Sequence, residues 1–112
     1  MKKYSLLYLL VCLFALPAFT QDYSAYQKKY MVQGGDTLPY RLMLPLNYDA
    51  SKTYPVVFFL HGAGERGRDN QKQLVHGGKL FLKDSIRQQF PAIVVFPQCP
   101  TDNYWGNLLR MH

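Results

Sequence analysis

The chain has 112 residues, 13 Lys and Arg against 7 Asp and Glu, and a formal charge of +6 at neutral pH. Aromatic residues are plentiful, nine Tyr and seven Phe, which suits strands more than disorder. The bases beyond residue 20 are scattered among acids, as at Glu65-Arg66 and Arg68-Asp69, with Lys28-Lys29 the one basic pair there. They read as solvated faces and not as the clustered stripe of a nucleic-acid surface.

Residues 1–20 read as a signal peptide. Lys2 and Lys3 give a positive start, Tyr4 to Leu16 an apolar run, Pro17 a break, and Ala18-Phe19-Thr20 small residues for cleavage before Gln21. The run of 13 residues is short of the ~20 that a membrane span needs. Export to the periplasm or the extracellular space is therefore expected, with no membrane association after cleavage. Removal of Lys2 and Lys3 lowers the charge to +4 and leaves 92 residues, 21–112, for one small domain. Cys12 departs with the signal, so Cys99 is the one cysteine of the mature chain and reads as a small buried residue at a strand end or as half of a disulfide to another chain. No metal site is expected, because His61, His76 and His112 stand in no ligand spacing with Cys99.

Residues 26–33 and 38–46 read as two strands joined at Gly34-Gly35-Asp36, a strong turn signal. In the second, Leu38, Tyr40, Leu42 and Leu44 alternate with Pro39, Arg41 and Met43, the period of a half-buried strand, and the prolines are expected at its ends. Val56 to Leu60 is a continuous apolar run, expected as a strand buried on both faces. Gln71 to Gly78 reads as irregular, with Gly77-Gly78 breaking any helix, and Lys79 to Gln89 as one helix stopped by Pro91. Ala92 to Phe96 is a second apolar strand, and the spacing of the two predicts a parallel pair with a helical crossover. The fold class expected is α/β.

The loop after Leu60 opens where α/β proteins place their sites. Gly62, Gly64 and Gly67 satisfy the dinucleotide fingerprint, but that fingerprint needs a helix to open at its last glycines. Glu65, Arg66, Arg68, Asp69 and Asn70 occupy that stretch without apolar period, which argues against a nucleotide site. His61-Gly62-Ala63-Gly64 fits instead an oxyanion-hole loop, whose small residues leave backbone N–H groups of Ala63 and Gly64 bare for a developing alkoxide, with His61 and Gly62 as support. Taken alone, the tetrapeptide is equally a tight strand-to-loop turn.

The wider context, LPYRLMLP, NYD, YPVVFFLHGAGERGRDN and PAIVVFPQCP, resembles secreted α/β-hydrolase esterases of the poly(hydroxyalkanoate) depolymerase-like and feruloyl-esterase-like group. It is also similar to the hydrolase domain of prolyl-oligopeptidase-type peptidases. The resemblance implies ester hydrolysis through a Ser–His–acid triad, without a cofactor, on a small-molecule or polymer ester. It also implies that Tyr104 and Trp105, beyond the second apolar strand, line a substrate cleft; the alternative is that they pack a short helix. A G-x-S-x-G elbow is missing, since Ser24, Ser51 and Ser85 lack the flanking glycines. In the family the triad follows downstream, and His112 has no acid partner. The expectation is an amino-terminal portion of a larger hydrolase, poorly stable or inactive alone. The competing class is a non-catalytic secreted module that holds a sugar or polymer on its exposed aromatics.

Overall fold

The computed structural model describes residues 20–108. The expected signal segment therefore lies outside the described residues up to position 19, as does His112. Four strands, β1 (Gln27–Gln33), β2 (Asp36–Met43), β3 (Val56–Phe58) and β4 (Ile93–Pro97), form one mixed sheet in the order β1-β2-β4-β3. Three short helices, α1 (Gly78–Leu82), α2 (Asp84–Gln89) and α3 (Trp105–Leu108), and two 3₁₀ turns complete the described chain.

The hairpin follows from Gly34 and Gly35, whose φ of 59° and 85° are the pair of positive values that a two-residue type I′ turn demands. Its register sets Gln33 opposite Asp36 and Gln27 opposite Leu42. β2 then pairs antiparallel with β4, while β3 and β4 run parallel, with Val57 opposite Val94. Pro39 is not at the end of β2 but inside it. Its carbonyl accepts the Gln98 N–H at 2.9 Å. In an antiparallel strand the N–H and C=O of one residue point to the same side, so its missing donor faces the place where β4 pairing stops.

One face of the sheet is covered. Met43, Val94 and Phe96 are buried there with Tyr26 and Leu74, and Val57, Phe59, Phe81 and Leu82 pack around them. Phe96 is the hub: Phe59 stacks on it at 4.7 Å, and Tyr26 and Phe81 meet it edge-on at 5.4 and 5.9 Å. The alternation of β2 holds, and its buried set is Pro39, Arg41 and Met43, with the leucines and Tyr40 half-buried.

Three expectations are corrected. The Val56–Leu60 run is not buried on both faces: among the described residues β3 has one neighbour, and Val56, Phe58 and Leu60 remain 49, 67 and 47 % exposed. The predicted single helix is two, split at Lys83, whose ψ of 128° is extended. Asp84 opens the second piece, where a carboxylate meets the positive end of the helix dipole. Gly77-Gly78 does not break a helix but begins one. Gly77 takes φ 98°, and Gly78 is the first residue of α1, with its carbonyl accepting the Tyr26 hydroxyl at 2.7 Å.

Candidate active site

His61 stands three residues after the end of β3, and Gln98 and Cys99 follow β4, so both parallel strands deliver polar groups to the same rim. Phe59 N–H donates to Val95 O at 2.9 Å and carries the ladder to the edge of the loop. The loop then turns through a 3₁₀ segment, Ala63–Glu65, entered from an extended Gly62 with φ −81° and ψ 179°.

His61 is 5 % exposed. Its Nε2 accepts the Cys99 N–H at 2.9 Å, and its Nδ1 lies 2.6 Å from Gly62 O. An acceptor Nε2 requires the proton on Nδ1, so Nδ1–H donates to the Gly62 carbonyl. Both nitrogens are occupied by backbone, which leaves the ring no free lone pair for base chemistry. The Trp105 indole N–H donates to His61 O at 3.0 Å, with its ring 5.0 Å from the imidazole.

Ala63 and Gly64 are exposed. They open the 3₁₀ turn, where the first N–H groups have no partner within the helix. Among the described residues neither amide donates to a backbone or side-chain acceptor, while Glu65 N–H and Arg66 N–H close the turn onto Gly62 O and Ala63 O. A Cβ placed on Gly64 meets nothing within 4 Å.

Behind the loop lies a buried polar frame that hydrophobic patterning does not disclose. Asn70, fully buried with φ 53°, donates its backbone N–H to Gln98 Oε1 at 2.7 Å and its side-chain amide to Tyr40 O and Lys29 O at 3.2 and 3.3 Å. Its own carbonyl accepts Arg41 Nε–H at 2.7 Å, and Arg41 also donates to Tyr26 O and to the Gln71 side chain. Gln73 donates to the Asn70 side chain. Gln98 spans the loop, donating to Glu65 O at 3.2 Å and to Asp69 Oδ1 at 2.7 Å. Gly67 N–H donates to Cys99 O at 3.0 Å. Burying polar groups this deeply is tolerable where they find partners; in this frame Gln73 Oε1 is buried without one among the described residues.

Several charges read as solvated faces are therefore structural. Arg41 is 5 % exposed, and Arg66 donates through Nε to Ala63 O at 3.0 Å and through Nη1 to Asn103 O at 3.1 Å. Asp69 receives Gln98 and the amides of Gln71 and Lys72. Burial pushes its carboxyl up, but those hydrogen bonds and the Lys72 charge outweigh it and hold the group below 3.8. Glu65 pairs with His76 Nε2 at 3.0 Å, tying the turn before α1 to the loop.

The structure thus brings together His61, Gly62, Ala63, Gly64 and Trp105. Tyr104, next in the chain, stays 61 % exposed, and its N–H donates to Asn103 Oδ1 at 2.9 Å. The residues missed from sequence, Arg41, Arg66, Asn70 and Gln98, had one usable signal: a glutamine wedged between an apolar strand and Cys99-Pro100. Among the described residues no group of three His, Cys, Asp or Glu is arranged to hold a metal ion. No helix among them is long and apolar enough to cross a membrane.

No family model matches the chain, and no curated protein matches it. Among solved structures, the crystal structure of a thermostable esterase matches with a TM-score of 0.69 and 32% identity over 80% of this chain. The chain has an esterase-like fold. It spans 25% of the length of that esterase.

Proposed function

We propose that this chain supplies the oxyanion-hole part of an exported serine hydrolase acting on carboxylic esters. The observation that carries the reading is the pair of amides without an acceptor among the described residues, at the exposed Ala63 and Gly64, at the carboxyl end of a parallel strand pair, in a fold shared with an esterase. Donors already aimed at the oxygen stabilise the charge that develops on it in the tetrahedral intermediate, and they need no reorganisation when it forms. His61 and Gly62 hold the loop, and Tyr104 and Trp105 border the acyl or alcohol side of a small-molecule or polymer ester. Nucleic acid, membrane and cofactor have no part in the reading.

The nucleophile is a separate matter. Ser24 lies in the turn before β1, Ser51 in a turn bonded to Asp49, and Ser85 in α2; none is at the loop. Triad turnover therefore rests on groups other than the described residues 20–108.

The test uses p-nitrophenyl acetate hydrolysis by the longest product that the gene encodes, with Ala63→Pro as the variant. Proline removes that N–H at a first helical position, where its ring is accepted, and Gly62 is already extended as a residue before proline must be. The expected result is a loss of about 10²–10³ in kcat with an unchanged melt. Hydrolysis at the wild-type rate by Ala63→Pro, or no ester turnover in the parent, overturns the reading.

A further inference from the structure

The two exposed amides are aimed by side chains pinning the carbonyls on their far side. In a trans peptide the C=O of one residue and the N–H of the next point in opposite directions within one plane. Whatever holds the carbonyl thus fixes where the amide points. The Gly62 carbonyl is held by His61 Nδ1–H at 2.6 Å and by Glu65 N–H at 3.3 Å, which turns the Ala63 N–H the other way. The Ala63 carbonyl is held by Arg66 Nε–H at 3.0 Å and by Arg66 N–H at 3.4 Å, which turns the Gly64 N–H outward likewise.

Distances decide which holder matters. The two backbone bonds, at 3.3 and 3.4 Å, lie beyond the usual 2.7–3.2 Å of an N–H···O bond. Those from the side chains of His61 and Arg66 are shorter, and the Arg66 bond is charge-assisted. A three-residue 3₁₀ turn has weak internal bonding, so its peptide planes can rock unless something outside the turn stops them. Arg66 is itself anchored: its Nη1 donates to Asn103 O at 3.1 Å, in the segment after β4 that also supplies Cys99 and Trp105 to His61. A guanidinium can bridge the two carbonyls because its donors form a rigid fork; a lysine ammonium is a single point on a flexible stem.

We infer that Arg66 is a positioning residue for the proposed oxyanion hole, holding the Ala63–Gly64 peptide so that the Gly64 N–H faces the ligand. This rests on the hydrolase reading above. Its role needs the fork and not the charge alone, since the guanidinium is committed to two backbone carbonyls on different loops.

The experiment compares the ¹⁵N-labelled full chain with Arg66→Ala and Arg66→Lys. Residual dipolar couplings of the Ala63 and Gly64 N–H vectors are read in a weakly aligning medium, and methylphosphonate is titrated as a tetrahedral anion. Both variants are expected to change the Gly64 coupling, to leave strand couplings in place, and to weaken methylphosphonate at these two amides by about tenfold. Wild-type couplings and affinity in Arg66→Ala overturn the inference alone. Wild-type behaviour in Arg66→Lys also overturns it, because charge and not the fork is then sufficient. If the parent chain shows no methylphosphonate shift at Ala63 or Gly64, the oxyanion reading falls and takes the inference with it.

Discussion

Gly64 separates packing from function at a single residue. A methyl group there meets open space, so Gly64→Ala should change unfolding free energy by no more than about 0.5 kcal/mol in urea melts. The same methyl group lies on the residue whose amide is proposed to hold a carbonyl oxygen, so ester turnover should fall while stability does not. His61 gives the opposite pattern. His61→Ala leaves the buried Cys99 N–H without its acceptor, which should cost about 1–3 kcal/mol. Asp69 adds a pH dependence with a definite sign. Its folded carboxyl is held below the ordinary value, so its contribution is present above the unfolded value and lost as pH falls through the folded one. The stability gap between wild type and Asp69→Asn should therefore be full at neutral pH and shrink in acid. A gap constant from neutral pH to below the carboxylate range would sink that argument.

Among the elements, the turns divide by what surrounds them. Gly35 has φ 85° and a Cβ added there would meet nothing within 4 Å, whereas Gly77 has φ 98° and its Cβ would stand 2.7 Å from the Phe59 ring. Gly35→Ala should cost the left-handed strain alone, about 1–2 kcal/mol. Gly77→Ala adds a core clash to that strain and should cost about 2–5 kcal/mol in the same melts. Equal losses for the two would show that Phe59 moves aside freely. β2 carries the other element-level effect, because Arg41 sits on its buried face and reaches Asn70 O, Tyr26 O and the Gln71 side chain. That side chain joins the strand to the glycine loop and to the turn before β1, so the frame and the sheet should unfold together.

For the whole molecule, the uncovered side of the sheet dominates. Phe59 N–H bonds to Val95 O and Pro55 O accepts Ile93 N–H, so the odd-numbered residues along this strand face β4. Val56, Phe58 and Leu60 then turn their backbone groups to the open edge and their side chains to the exposed face. An open edge with exposed apolar side chains promotes association. Light scattering of the chain from residue 21 should rise with concentration, and Phe58→Lys should suppress the rise while keeping the urea midpoint. Flat scattering at all concentrations would remove the argument.

The hairpin turn and the glycine loop after an apolar strand were legible in the sequence, because each depends on residues within about ten positions of one another; the α/β class was legible from two apolar runs and the spacing between them. Gly34-Gly35 sets its own backbone, and a continuous apolar run declares a strand wherever it lies. The frame behind the loop was not legible. Arg41 meets Asn70, Asn70 meets Gln98, and His61 meets Cys99 across separations of 29, 28 and 38 residues. The tertiary structure alone decided those pairs and the exposure of β3, because strand order and register determine which distant polar groups meet and which edge is left open.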